Sequence, residues 1–221
     1  MDDTPTHTMP PSAPIPAPSS HAAARAETQR LRILDAAQRC FIAHGFHAAS
    51  VSGIAAEAGI SQGLMYRYFE SKRAMILALI ARQLDADQQS IGQMPASHQL
   101  VDALLACYQL WARGESISRH DTAIASVALY AEITAEAQRD PVVAGVLRQH
   151  DKTTTAGICD WLRRHDLARG AAINEADLQA RSLLFRVTVE GLAMRAVRDP
   201  DLSADTVRSL LTQTVSRVLG G

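Results

Sequence analysis

The sequence predicts an all-α protein. Alanine, the strongest helix former, supplies 38 of the 221 residues, whereas clusters of Val, Ile, Tyr and Phe bounded by Gly or Pro, which are typical of strands, are scarce. Apolar residues recur at helical spacing in one segment after another, and Ser, Asn, Gly or Pro stand at most segment ends. An all-β fold and a doubly wound α/β fold are therefore disfavoured.

Nine helices follow from this pattern. Ser50, Ser61 and Ser71 are the expected N-caps of the second, third and fourth helices, and Gly45 and Gly59 are the expected ends of the first and second. Pro141 suits the first turn of a seventh helix. The predicted helices span residues 27–44, 50–58, 61–69, 72–91, 98–113, 121–138, 141–164, 174–198 and 203–219.

Composition excludes several classes of protein. No run reaches the roughly 18 uncharged apolar residues that a membrane span needs. Residues 1–24 hold six of the nine prolines and begin with acidic residues, so we expect a disordered leader rather than a secretion signal. Cys40, Cys107 and Cys159 are odd in number and form no CxxC, so neither a metal site nor a disulfide framework is expected. Buried, reduced thiols in a cytoplasmic protein are the expectation, with a redox-sensing cysteine as the alternative.

The overall charge of −1 conceals an asymmetry. Residues 25–73 carry seven basic and four acidic side chains, a net charge of +3, whereas residues 1–24 and 74–221 are each slightly acidic. A basic segment on an acidic body suits a polyanion that binds at one end of the molecule.

Residues 50–69 have the spacing of a helix-turn-helix. Two short helices meet at Gly59, which can take the left-handed backbone that a sharp bend requires. The small Ala55 lets the helices cross closely, and Ile54, Ile60 and Leu64 are expected to seal their contact. The outer face of the second helix is then free to enter the DNA major groove, which is ~12 Å wide. Spacing alone leaves an ordinary helical corner equally open.

The residues themselves resemble a known family. The run from Gly45-Phe46 through Ile54-Ala55, Ala58-Gly59-Ile60-Ser61 and Gly63-Leu64-Met65-Tyr66-Arg67-Tyr68-Phe69 to Ser71-Lys72 and Met75 closely resembles the DNA-binding domain of TetR-family transcriptional regulators. The resemblance implies a homodimer without a cofactor or catalytic site. It assigns residues 25–71 to DNA binding and residues 72–221 to ligand binding and dimerisation, with residues 72–91 as the linking helix.

The resemblance also implies roles for individual residues. Ser50, Ser52, Tyr66 and Lys72 correspond to contacts with DNA phosphates, which position a protein without reading sequence. Base reading falls to Gln62, Gly63 and Arg67, because Gln pairs with adenine, Arg pairs with guanine and a glycine admits a thymine methyl. A phosphate contact for Arg67 and a solvated Gln62 remain open.

Two nearby pairs of residues have less specific interpretations. Tyr68 and Phe69 are expected to pack in the core. Arg25 and Arg30 either reach an adjacent minor groove or belong to an ordinary solvated face.

The resemblance places a small-molecule pocket between the helices of residues 98–190. We expect an apolar ligand, aromatic or cationic in part, with core packing or surface exposure as the alternative for each side chain. The candidate lining residues are Tyr108, Trp111, Tyr130, His150, Thr154, Trp161, Arg186 and Glu190.

The last two helices are the expected dimer interface, because two helices from each subunit make a four-helix contact. A place in the subunit's own core is the alternative for each residue. The candidates are Leu184, Val187, Gly191, Leu192, Val207, Leu211, Val215 and Val218.

The sequence therefore predicts a DNA-binding transcriptional regulator, and the resemblance implies a repressor that a small apolar or aromatic effector releases from a palindromic operator. The rival is an all-α metal-dependent hydrolase built on the pairs His120-Asp121, His150-Asp151 and His165-Asp166. Adjacent residues on a helix point about 100° apart and do not converge on one ion, which argues against the hydrolase. A metal- or redox-sensing regulator is a further, lesser alternative.

Overall fold

A computed structural model describes residues 20–115 and 126–221 of the chain. Within these ranges the protein is entirely helical apart from turns, which confirms the predicted fold class. A 3-10 turn spans Ser97–Gln99. The helices are α1 (Ser20–Ala48), α2 (Val51–Glu57), α3 (Gln62–Tyr66), α4 (Lys72–Gly92), α5 (Leu100–Ala112), α6 (Val127–Ala137), α7 (Pro141–Ala168), α8 (Glu175–Arg198) and α9 (Ala204–Val218).

Several helix boundaries differ from the prediction, among them the end of α3, which is Tyr66 where residue 69 was expected. Helix α1 begins at Ser20, so the disordered leader predicted for residues 1–24 is wrong in its last five residues, where a run of alanines favours helix. Residues 1–19 lie outside the described ranges. Helix α7 runs to Ala168, past the predicted end at residue 164. The predicted start of the sixth helix at residue 121, with Ile124, also lies outside the described ranges.

The predicted caps of the first helices are confirmed. The Ser50 and Ser61 hydroxyls accept hydrogen bonds from the backbone N–H groups of Gly53 (3.0 Å) and Leu64 (3.2 Å). The Ser71 hydroxyl accepts one from the N–H of Ala74 at 3.1 Å. Each cap satisfies an N–H that the first turn of a helix leaves unpaired, and so fixes where that helix starts.

One hydrophobic core joins the N-terminal helices to the body of the protein. Phe41 and Phe46 meet edge to face with ring centroids 5.1 Å apart, and both are buried in a core that also contains Leu79 of α4. Ile133 of α6 and Val143 of α7 belong to the same core. Helix α1 is therefore packed directly against α4 and α6, both of which pack on α7, and α2 and α3 join the body chiefly through α1.

A second core lies among α5, α7, α8 and α9. Arg181 and Asp166 form a buried ion pair within this region, where each side chain is less than one tenth exposed. The Arg181 guanidinium also contacts Asp177 one turn earlier at 3.0 Å. Burial of a charged pair is tolerated here because each charge has a partner.

This second core corrects the predicted dimer interface. Leu192 of α8 and the whole apolar stripe of α9, namely Val207, Leu211, Val215 and Val218, are buried within the subunit. These five side chains therefore belong to the subunit's own core, which is the alternative place given above for each of them. Their spacing could not reveal this, because a stripe that packs inward and a stripe that packs on a second subunit have the same period.

The cysteines differ in burial. Cys159 is buried as predicted, whereas Cys40 and Cys107 are half-buried. Burial raises the pKa of both the Cys40 and the Cys107 thiols. Raised values leave less thiolate at neutral pH, which disfavours the redox-sensing alternative. No helix in the described ranges has the length and hydropathy of a membrane span.

Candidate nucleic-acid interface

The turn between α2 and α3 has the geometry that the sequence predicts. Gly59 has φ of +66°, a left-handed conformation that costs glycine little. Ile54 and Ala55 are buried beneath the turn. Met65 takes the central place in the contact, fully buried, where the sequence favoured Ile60 and Leu64, which are only half-buried.

The outer face of α3 is open. Gln62, Gly63, Tyr66 and Arg67 are all exposed, and a Cβ placed on Gly63 would meet no heavy atom within 4 Å. Since Met65 and the Ser61 cap hold the helix from below and from its N-terminus, the exposed side chains are not needed for packing. This surface is shaped to lie against a large partner.

Two exposed hydroxyls stand beside α3, at the start of α2. The Ser50 and Ser52 hydroxyl oxygens lie 3.0 Å apart. Ser50 is occupied as the cap of α2, whereas the Ser52 hydroxyl has only this one neighbour among the described residues. Ser52 is thus the freer of the two donors for a phosphate.

Lys72 has a structural role that sequence reasoning missed. Its Nζ donates hydrogen bonds to the carbonyl oxygens of His47 (2.8 Å) and Ala49 (3.0 Å), at the C-terminal end of α1. An ammonium group has three N–H donors, so one remains for a phosphate. Lys72 therefore ties α4 to the turn that precedes α2 and still faces outward in part.

The last turn of α1, which follows a kink at Gly45, is also held from the body. The backbone N–H of Phe46 donates to Glu132 Oε2 of α6 at 3.0 Å. Gly45, with φ of +77°, bends the chain so that this N–H faces the carboxylate. His47 pairs with Glu136 of α6 at 2.9 Å. The partners in these two contacts are separated by 86 and 89 positions along the chain. Helical periodicity relates only residues that are close in sequence, so it could not predict these contacts.

Arg73 makes the next contact along α4. Its guanidinium binds Asp140 Oδ2 through two nitrogens, at 2.6 and 3.0 Å. Asp140 also caps α7 through the N–H of Val142, and the Arg73 guanidinium holds the pKa of the Asp140 carboxyl below its usual value.

Arg30 is a packing residue in this structure. Its guanidinium lies over the Phe69 ring, 5.1 Å from the centroid, and its Nη1 lies 3.8 Å from Glu27. Phe69 is buried and Tyr68 half-buried, which confirms the packing role predicted for both. Arg25 is exposed.

Comparison with known proteins identifies the family. Residues 33–79 match a model described as bacterial regulatory proteins of the tetR family, and residues 114–220 match one described as BetI-type transcriptional repressor, C-terminal. The chain belongs to the TetR family. The first match covers the helix-turn-helix and the second covers most of the body.

Relatives and solved structures agree with this assignment. UidR of Escherichia coli K12 is 33% identical over 139 residues, which are 62% of this chain and 66% of UidR, just under two thirds. AcnR of Corynebacterium diphtheriae, named a transcriptional repressor, is 28% identical over 62% of this chain and 65% of AcnR. The structure of Salmonella enterica GusR is 29% identical, covers 86% of this chain and 96% of GusR, and has a TM-score of 0.64. A TetR regulator of Haloarcula marismortui shares the fold at 17% identity over 86% and 97% of the chains, with a TM-score of 0.66.

Five of the eight predicted effector residues of this TetR-family chain lie near one another, where α6, α7 and α8 approach α4. Arg186 bonds to Asp151 at 2.5 Å and to Glu190 at 3.3 Å. Burial, and then the nearby carboxylates of Glu190 and Asp151, raise the pKa of Tyr130 to about 12. The five residues are Tyr130, His150, Thr154, Arg186 and Glu190.

The three other candidates lie in the second core or pack against it, so core packing, the alternative given above, applies to them. Tyr108 is buried and donates its hydroxyl proton to the carbonyl of Asp199 at 2.7 Å. Trp111 is buried beside it. Trp161 is half-buried and stacks on His165, at the edge of a shallow recess of about 200 Å³ that Ser97 and Arg164 also line.

Proposed function

We propose that this protein is a homodimeric, DNA-binding transcriptional repressor that a small-molecule effector releases from a palindromic operator in the cytoplasm. The observation that carries the proposal is the exposed outer face of α3. This face carries Gln62, Gly63 and Arg67, which are exposed and do not pack in the core. Residues of these types read base edges in the major groove.

Phosphate contacts would fix the orientation of α3 in the groove. Ser52 and Tyr66 are exposed on either side of the turn, and Tyr66 retains half of its accessible surface. Lys72 keeps a donor free beside them. Contacts of this kind set register and supply the salt-dependent part of the affinity.

The dimer interface is proposed for the exposed face of α8. Leu184, Val187 and Gly191 remain exposed, and Leu183 and Leu210 extend the same apolar surface. A two-fold contact there would set two copies of α3 on successive major grooves, ~34–36 Å apart. A two-fold axis also explains why a palindromic operator is expected.

Effector binding would act through the helices that touch both regions. Helix α4 carries Lys72 and Arg73 at one end, and α6 carries Tyr130 near the effector residues and Glu132 against the turn of α1. An effector that binds the DNA-incompetent arrangement more tightly shifts the population toward it. A coupling of ~1–3 kcal/mol corresponds to roughly 5–150-fold in operator affinity.

Selection of bound sequences from random duplex DNA tests the proposal. We expect a palindrome, and a fall of log K with log salt with a slope of about −4 to −5 if ~4–6 phosphates per dimer are neutralised. Lys72→Gln should flatten the slope for every sequence, whereas Gln62→Ala should change the preferred bases. Arg148→Ala, which removes an exposed arginine from α7, is the matched control. The proposal would be contradicted if no sequence is enriched over the random pool, or if neither Lys72→Gln nor Gln62→Ala changes DNA binding.

The hydrolase alternative is disfavoured by the neighbours of the His-Asp pairs. Asp151 is bound to Arg186 and Asp166 to Arg181, so neither carboxylate is free to join its adjacent histidine on an ion. His120 and Asp121 lie outside the described ranges. Within those ranges no three potential ligands are grouped for a metal.

A further inference from the structure

Two hydrogen-bond acceptors one turn apart on α4 lack adequate donors. Gln83 is 2% exposed, and its Nε2 donates to Asp87 Oδ1 at 3.3 Å. The Gln83 Oε1 shares its amide carbon with this nitrogen, so it lies close to the same region, and it meets no donor among the described residues. A buried acceptor without a donor is costly, which points to a missing partner.

The residues of α7 opposite Asp87 do not supply that partner. The Gln88 amide donates to Thr154 Oγ1 at 2.8 Å and faces His150 Nδ1 at 3.4 Å. His150 Nδ1 is therefore the accepting nitrogen, and the proton on Nε2 faces Thr154 Oγ1 and Asp87 Oδ2. The Nε2 to Oδ2 distance is 3.7 Å, too long for a good hydrogen bond.

His150 also fails to supply a positive charge. Burial lowers the pKa of the His150 imidazole, so it is neutral at pH 7. It is the only basic group that pairs with Asp87 within the described residues. Arg186 of α8 lies nearby, but its guanidinium is bonded to Asp151 and Glu190. The described residues around Asp87 thus carry more negative charge than positive charge.

The negative charge of the Asp87 carboxylate is disfavoured in this arrangement. Burial raises the pKa of Asp87 to about 6, and the hydrogen bond from Gln83 only partly opposes that rise. A carboxylate is disfavoured in a buried site unless a cation or several donors accompany it. The side chain nevertheless keeps 27% of its exposure, so a small group can reach it from solvent.

We propose that Gln83, Asp87 and His150 form the head-group site of the effector, and that the head group is a protonated primary or secondary amine. The inference rests on the proposed function, because it names the chemical class of the effector. An ammonium supplies the positive charge that Asp87 lacks and the N–H that Gln83 Oε1 lacks. A neutral alcohol lacks the charge and a quaternary ammonium lacks the N–H, while one carboxylate is too little for a hard divalent cation.

Calorimetry with three matched probes tests this assignment on the full chain. We expect 2-phenylethylamine to bind about 10–100-fold more tightly than either 2-phenylethanol or 2-phenylethyl-trimethylammonium, the range for a hydrogen bond to a charged group. Equal affinity for the alcohol would overturn the need for charge, and equal affinity for the quaternary ion would overturn the need for an N–H. Absence of amine binding would overturn the site itself.

Two substitutions locate the binding in this cleft. Asp87→Asn should remove the preference for the amine, whereas Asp85→Asn, which removes the same charge from an exposed position two residues away, should leave it unchanged. Gln83→Met should lower amine affinity about tenfold without lowering the melting temperature, because it deletes an unpaired acceptor. Full amine affinity in Asp87→Asn would contradict the assignment.

The pH profile gives an independent readout. The groups that face Asp87 or its neighbours are Gln83 on α4, Tyr130 on α6, His150 and Asp151 on α7, and Arg186 and Glu190 on α8, while the exposed Asp85 acts on His150 only through its charge. The amine stays protonated to about pH 10, whereas Asp87 gains a proton below about pH 6. Amine affinity should therefore be constant above pH 6 and fall below it, and the profile of Asp87→Asn should be flatter.

Failure of this inference is distinguishable from failure of the proposed function. DNA binding is measured on the same preparation before any amine is added. If selected DNA is bound and no amine binds, only the effector class is wrong. If no DNA is selected, the regulator proposal fails whatever the amine does.

Discussion

Helices α3 and α9 are both amphipathic, yet they use the pattern in opposite ways. Helix α3 buries Met65 and leaves Gln62, Gly63 and Tyr66 exposed. Helix α9 buries a full stripe that includes Val207 and Leu211. A short helix that is fixed by its N-cap and one buried side chain can leave most of its surface exposed for binding. A longer helix with a continuous apolar stripe buries that stripe in the core of the subunit.

The largest expected effect concerns the charges buried in the core beside α9. Arg181→Met leaves Asp166 buried without its partner, so the free energy of unfolding should fall by about 3–5 kcal/mol. Arg208→Met is the control, because its pair with Asp102 is exposed and exposed pairs contribute about 0–1 kcal/mol. Urea denaturation measures both, and equal losses would show that Asp166 and Arg181 are not buried together.

Neighbouring leucines of α9 give a sharper contrast. Leu211 is fully buried and Leu210 is 52% exposed. Leu211→Ala should cost about 2–5 kcal/mol of stability, as cavity-forming core substitutions do, whereas Leu210→Ala should change the stability of the subunit little. The same denaturation curves, read at low protein concentration, decide it. The reverse order would restore α9's buried stripe as the dimer interface.

On α3 the expected effect falls on binding and leaves stability unchanged. Arg67→Ala should lower operator affinity by about 1–3 kcal/mol and relax preference at the base it reads. Fluorescence anisotropy with selected and scrambled duplexes measures the affinity, and a melting curve measures stability. Because Arg67 is exposed, the melting temperature should not move. Loss of stability in place of specificity would make Arg67 a structural residue.

The smallest effect is expected at the cap of α3. Ser61→Ala removes the hydroxyl that accepts from the Leu64 N–H and should cost about 0.5–2 kcal/mol. Ser61→Asn retains an acceptor and should restore most of it. Thermal unfolding of the two variants distinguishes a cap from a merely solvated serine, for which they would behave alike.

The sequence predicts local features of this fold well. The caps Ser50, Ser61 and Ser71 and the bend at Gly59 each depend on a few neighbouring residues, and all four are confirmed. Most helices follow from apolar period alone. The start of α1 was misplaced because Pro-rich composition outweighed the short alanine run before Arg25.

Non-local features could not be predicted in the same way. The bonds of Lys72 to the end of α1 and of Glu132 to Phe46 join residues distant in the chain. Burial of Leu192 and of the α9 stripe depends on which helix happens to cover it. The separation of Tyr108 and Trp111 from Tyr130 likewise depends on the packing of whole helices, which composition and period do not contain.

Methylation protection on selected operator DNA tests most directly whether α3 lies in the major groove, since guanine N7 is exposed there. We predict two clusters of protected guanines on one face of the duplex, with centres about 10–10.5 base pairs or a multiple apart, and loss of protection at one guanine per half-site in Arg67→Ala. A single cluster, or guanines equally reactive with and without the protein, would contradict it.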